Sequence, residues 1–181
     1  MRAAFRRRID WFQEAGVYYV NPVVNLVDRE LLKYQMYSAW KDLLQLDREE
    51  NSRAVDIGFT AWSEFEGIMR RQARHTLDDL EQNGKVGLVM LGRPYHHDPG
   101  LNQGILEELQ RLGYPVFSQS LLPLDPDLLD RLFGQEVQEG RIASPLDISD
   151  VWKHTFSASS NHKIWAAKFV ARHPNLISIE L

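Results

Sequence analysis

Lys85-Val86-Gly87-Leu88-Val89-Met90-Leu91-Gly92-Arg93-Pro94 is the stretch on which the fold turns. From Val86 to Leu91 it is continuously apolar rather than alternating, so it reads as a strand buried on both faces, as strands of parallel sheets are. Asp98-Pro99 then supplies a helix start, with a carboxylate at the N-cap and proline at the first helical position. Ile105, Leu106, Leu109 and Leu112 give that helix its apolar face, and Gly113 ends it. Tyr114-Pro115-Val116-Phe117 begins a second strand. A strand, a helix and a second strand within so short a span make a parallel unit, with a right-handed crossover expected.

Toward the N-terminus the period changes to a helical one. Leu31, Leu32, Met36, Ala39, Trp40, Leu43 and Leu44 predict a helix over 28–46. Ile57, Ala61, Trp62, Phe65, Ile68, Met69, Leu77 and Leu80 predict the inner face of a longer one over 53–82, stopped by Asn83-Gly84. Val17 to Val20 reads as a short strand broken by Asn21-Pro22, and Phe5, Ile9 and Phe12 as one face of a short helix. Toward the C-terminus, helices are expected near 128–133 and over 161–172, and a strand over 176–181. The fold class expected is therefore α/β, a parallel Rossmann-like sheet flanked by helices with a helical N-terminal part. Residues 1–84 form the helical part and 85–181 the parallel core, together one compact domain. A chain that stops on a strand reads as a piece excised from a larger protein.

The 181 residues are 44% hydrophobic and 25% charged, which are values of a folded chain. A net charge of −4 gives no electrostatic footprint for nucleic acid, where a basic surplus is expected. No apolar run approaches the roughly 18 residues needed to span a bilayer. The basic N-terminus lacks the hydrophobic stretch of a secretion signal, so a cytoplasmic location is expected. With no cysteine, this chain has no disulfide, thiolate zinc site or iron–sulfur cluster of its own.

The richest segment for chemistry is Gly92-Arg93-Pro94-Tyr95-His96-His97-Asp98. Ligands of open parallel sheets bind outside the carboxyl ends of the strands, and this loop leaves such an end. Arg93 is suited to clamp a phosphate or carboxylate, and Tyr95 and His96 to orient a substrate. The competing reading is a tight turn, with Asp98 occupying the helix donors as its cap. Gly87 and Gly92 have the spacing of a phosphate loop, but the residues between them are strand and no Lys-Ser/Thr follows. Asp56-Ile57-Gly58-Phe59-Thr60 superficially resembles the first phosphate motif of actin-like ATPases, yet it lies in a helical period. His96, His97, His154, His162 and His173 show no ligand spacing for a metal. Ser157 to His162 reads as helix capping rather than as a nucleophile.

Four stretches taken together carry a family resemblance. They are Gly92-Arg93-Pro94-Tyr95-His96-x-Asp98-Pro99 with Asn102 and Gly104; Val151-Trp152-Lys153-His154; Asn161-His162-Lys163-x-Trp165-Ala166-Ala167-Lys168; and Ala171-Arg172-His173-Pro174-Asn175-Leu176. Ala54-Val55-Asp56 and Asn21-Pro22-Val23-Val24-Asn25 also fit. The chain resembles the non-ATPase part of CoA-substrate-specific enzyme activases, the region similar to the 2-hydroxyglutaryl-CoA dehydratase D-component.

That resemblance implies life in anaerobes and a role in electron transfer to, or binding of, a CoA-thioester dehydratase system. It implies three partners: other domains of the parent protein, an actin-like ATPase activase domain, and an acyl-CoA dehydratase. ATP and an iron–sulfur cluster are implied for the full-length family only, since the chain ends where the family continues into a Ser-Phe-x-Cys-Gly type loop. The piece alone is expected to be inactive. Its ligand pocket is expected at the Gly92–Asp98 loop, lined by Arg93, Tyr95, His96, Asn102, Ser118 and Ser120. Two other readings stay open. One is a structural or assembly domain, a homodimer included, packing through the helices around Trp40 and Trp62. The other is an acid–base enzyme using His96 or His97 with Asp98.

Overall fold

A computed structural model describes residues 11–154 and 156–180. Phe5 and Ile9 of the expected N-terminal helix, and Leu181 of the expected last strand, lie outside those residues. The chain divides into two compact units, 1–63 and 64–181.

In the first unit, α1 (Trp11–Glu14) is a single turn and α2 (Arg29–Leu44) is the expected helix. Asp28 caps α2 by accepting the Leu31 N–H at 3.0 Å, and Gln45 closes it in the left-handed region at φ 54°. The long helix α3 (Arg48–Asn83) begins here and continues into the second unit. Its first turns are tied to α2 by three polar contacts. Buried Asn51 donates Nδ2 to the Lys33 carbonyl at 2.9 Å, Lys33 pairs with Asp56 at 3.0 Å, and the Arg29 guanidinium lies over the Phe59 ring.

Two expectations fail in this part of the chain. Val17–Val20 is not a strand: the described strands pair only with one another, so no ladder reaches it, and Tyr18 is exposed. The expected inner face of α3 is inner only near its end. Ile57, Ala61, Trp62, Phe65, Ile68 and Met69 are exposed, whereas Leu77 and Leu80 are buried. Helical periodicity says which residues share a face, not how much of that face the protein covers. In α2 likewise, Leu32 is buried while Leu31, Leu43 and Leu44 are exposed.

The second unit holds a three-stranded parallel sheet in the order β2-β1-β3, with β1 (Gly87–Leu91), β2 (Val116–Ser118) and β3 (Leu176–Glu180). All five residues of β1 are buried, as its unbroken apolar run requires. α3 stops at Gly84, whose φ of +61° a side chain would strain. Between β1 and β2 lie a 3₁₀ turn (Pro94–His97), α4 (Pro99–Asn102) and α5 (Ile105–Arg111). The single helix read from the sequence is thus two. Gln103 and Gly104, at φ 56° and 74°, break it, and Gly113 ends the second piece at φ 91°.

After β2 come a 3₁₀ turn (Gln119–Leu121), α6 (Pro126–Gln138) and α7 (Ala158–Arg172). Ser157 caps α7 by accepting the Ser160 N–H at 3.3 Å, the capping role expected of that serine run. The core gathers Leu77 and Leu80 of α3, Val89 and Leu91 of β1, Phe117 of β2, Leu128 and Phe133 of α6, and Trp165 and Phe169 of α7. Polar ties hold the same layer. Arg172 of α7 forks onto Glu136 of α6 with two bonds of 2.7 Å. Buried Lys168 holds the preceding loop through the Asp147 carbonyl and the Asp150 carboxylate, at 2.8 and 2.6 Å.

The unit is also fastened at the amino ends of the strands. His173, with its ring fully buried, faces Glu81 of α3 at 2.6 Å through Nε2 and accepts the Asn175 N–H on Nδ1. Arg131 of α6 completes the cluster on Glu81. His173 is thereby a structural pin, far in the topology from the strand ends where ligands bind.

Candidate functional site

The carboxyl ends of β1 and β2 carry the segment singled out by sequence. The turn after β1 is clamped at two points. The Gly92 N–H donates to Gln119 Oε1 at 3.1 Å, and Gln119 Nε2 donates to the Gly92 carbonyl at 3.0 Å. Gln119 is buried, so its carboxamide acts as an internal strut joining the ends of two strands. Arg70 of α3 fixes the next turn from the other side, donating to the Ser120 and Leu122 carbonyls at 2.9 and 2.6 Å.

The six predicted site residues take different roles on this frame. Arg93 is exposed and, among the described residues, has no ion pair or hydrogen-bond partner for its guanidinium. Tyr95 is exposed and meets the His96 ring edge-on, with centroids 4.6 Å apart. His96 packs inward onto the turn: a Cβ at Gly92 would lie 2.5 Å from its Nδ1. That nitrogen is buried with no hydrogen-bond partner among the described residues. Asn102 is buried, and its amide is spent on the loop itself, donating to the His96 carbonyl at 3.1 Å and accepting the Gly104 N–H at 2.8 Å. Ser118 Oγ lies 3.2 Å from His97 Nε2 and takes a long bond from the Ser120 N–H at 3.4 Å. Ser118 therefore joins the loop through His97 and not through Arg93, and Ser120 is tied to Ser118 and to Arg70.

Burial, and secondarily the charge of neighbouring His96, hold the His97 pKa below the ordinary imidazole value of 6.5. A neutral imidazole shares one hydrogen bond with the hydroxyl, and its tautomer sets which of the two donates. Asp98 serves the fold, because its Oδ1 caps α4 by accepting the Gly100 and Leu101 N–H groups at 2.8 and 3.2 Å.

Beside Ser118 opens a cleft of about 300 Å³ between α3 at Met69–Thr76 and β2 with its flanks, Pro115 and Leu121. Sequence reasoning found neither this cleft nor the Gln119 and Arg70 struts. Their partners are 27 and about 50 residues away, and no local pattern marks them.

The chain has no cysteine to supply cluster thiolates. Among the described residues no group of three His, Asp or Glu is placed to hold a metal ion. Gly87 and Gly92 serve packing rather than phosphate. A Cβ on Gly87 would sit 2.7 Å from both Leu80 Cδ1 and Phe117 Cε2, and the place of a Cβ on Gly92 is taken by His96. No described helix is long and apolar enough to cross a membrane.

No curated protein and no solved structure matches this chain. The family model for the CoA enzyme activase uncharacterised domain matches residues 2–122. The matched stretch takes in the first unit, β1, the Gly92–Asp98 loop, β2 and the whole cleft, and ends before α6, α7 and β3. Because that model covers more than half of its length, the chain belongs to the CoA enzyme activase uncharacterised domain family.

Proposed function

We propose that this protein is the non-ATPase module of an acyl-CoA dehydratase activation system, akin to the dehydratase D-component, and that it binds a CoA thioester at the carboxyl ends of a Rossmann-like sheet. The observation that carries the reading is the exposed Arg93, without a side-chain partner among the described residues, on a loop leaving the buried central strand of a parallel sheet. An exposed guanidinium with no internal partner is free to fork onto a phosphate. Family membership supplies CoA as the phosphate-bearing ligand to test. In this reading the module works in the cytoplasm of an anaerobe, next to other domains of its parent protein and an actin-like ATPase activase domain. Electron transfer to the acyl-CoA dehydratase, together with ATP and the iron–sulfur cluster, belongs to those partners.

The test is thermal unfolding against CoA, acyl-CoA esters and adenine nucleotides. Ligand at a hundred times its dissociation constant adds about 2.7 kcal/mol, a rise of roughly 5–10 °C for a chain of this size. The proposal expects that rise with CoA compounds and its loss in Arg93→Ala. A flat response to every CoA compound, or a rise that survives Arg93→Ala, defeats it.

Exposed apolar side chains on α2 and α3, such as Leu44, Ile57 and Ile68, favour a second reading, an assembly domain that pairs with another domain or a second copy. Sedimentation that stays monomeric across a hundredfold range of concentration removes the homodimer form of it.

A further inference from the structure

The cleft beside β2 has a chemistry unlike that of the Arg93 loop. None of its lining side chains is charged. Met69, Ala73 and Leu121 make an apolar wall. Gln72 and Gln110 stand over it with carboxamides that have no hydrogen-bond partner among the described residues, and Ser118 lies at the end nearest the loop. Its volume of about 300 Å³ is at the lower bound of small-molecule sites. That is room for a slender fragment rather than a whole nucleotide conjugate. Uncharged walls offer a phosphate no counter-charge, while free carboxamides are matched by amides, to which they both donate and accept.

We propose that this cleft is a subsite for the neutral, amide-bearing arm of the CoA thioester, with Ser118 marking its junction with the loop where Arg93 takes the anionic half. Ser118 is the bridge on which the geometry rests, since its hydroxyl meets His97 of the loop while the same residue lines the cleft. The inference rests on the CoA-thioester reading above and adds where the two halves of the ligand go.

The test uses calorimetric titration of the full chain with CoA, with pantetheine, and with adenosine 3′,5′-bisphosphate. Ala73→Phe fills the cleft, and the double variant Gln72→Ala/Gln110→Ala removes its amide partners from exposed positions. Both are expected to abolish the pantetheine signal and to raise the CoA dissociation constant about tenfold, the equivalent of one or two net hydrogen bonds. Both are expected to leave adenosine 3′,5′-bisphosphate binding unchanged, whereas Arg93→Ala removes it. Where Ala73→Phe lowers the unliganded melting temperature, the glutamine pair decides. CoA binding indifferent to the glutamine pair overturns the subsite and leaves the CoA reading standing. A wild-type chain that binds no CoA overturns both.

Discussion

The strut between Gln119 and Gly92 yields a sharp quantitative prediction. Replacing Gln119 by Met keeps nearly the same volume in the buried site and removes both hydrogen bonds at once, so cavity formation contributes little. What remains is the Gly92 N–H and carbonyl, bonded at 3.1 and 3.0 Å in the native protein and partnerless in the variant. Each buried group left without its partner costs about 1–3 kcal/mol. Gly92 is only half-buried and recovers part of that from water, so the expected loss is about 2–4 kcal/mol. For a chain of this length that is a fall in melting temperature of about 4–16 °C. Gln119→Glu separates the two bonds. A carboxylate still accepts the Gly92 N–H but faces the Gly92 carbonyl with no proton, so the variant should regain stability relative to wild type as the glutamate protonates in acid. Urea and thermal unfolding at pH 7.5 and pH 5 read both variants. A Gln119→Met protein within 0.5 kcal/mol of wild type refutes the strut.

Four further outcomes are expected. Gly87→Ala forces a Cβ against Leu80 and Phe117 at 2.7 Å and should cost about 1–3 kcal/mol by overpacking, with Gly87→Ala/Phe117→Leu recovering part of it; additive losses in urea melts would count against the contact. Leu77→Ala should cost about 2–5 kcal/mol because that side chain is fully buried in the core, a fall that a urea midpoint measures directly. His97 and His173 both have pKa values lowered by burial, against the opposing pull of Glu81 on His173. The unfolded chain therefore takes up protons that the native one refuses, and stability should be full above the unfolded imidazole value of 6.5 and fall as pH drops below it; a flat unfolding free energy between pH 7.5 and 5.5 contradicts this, and His97→Ala should flatten part of the slope. Arg70→Met withdraws two donors from the turn after β2 and should cost about 1–3 kcal/mol in thermal unfolding.

Much of the second unit is legible in the sequence because its signals are local. The run of Val86 to Leu91 has no polar residue to face water, so a strand buried on both sides is the reading left. Asp98-Pro99 and Gly84 announce helix ends through backbone preferences that hold in any tertiary setting. The failures occur where the answer depends on distant chain. Val17–Val20 has a strand's composition, but a strand exists only with a partner, and the ladder of β1 is filled by β2 and β3. The stripe of α3 has a helical period throughout, yet full burial arrives only at Leu77 and Leu80.

The candidate site divides along the same line, and the division bears on how its loop works. Arg93, Tyr95 and His96 were legible because they follow a strand end. How each is placed was not, since that depends on what fills the turn. Gly92 has no side chain, so the His96 ring seats itself in the vacant place, and Gln119 holds the same residue by both backbone groups. His96 is thus consumed in shaping the turn, as Asn102 is through the His96 carbonyl. The guanidinium of Arg93 is left outside, with no hydrogen-bond or ion-pair partner among the described residues. A glycine pair spaced like a phosphate loop therefore does a different job here: Gly87 admits Leu80 and Phe117 to the sheet, and Gly92 admits His96. Side chains take the space that a phosphate loop keeps for its nucleotide, so neither glycine opens a cradle of backbone amides.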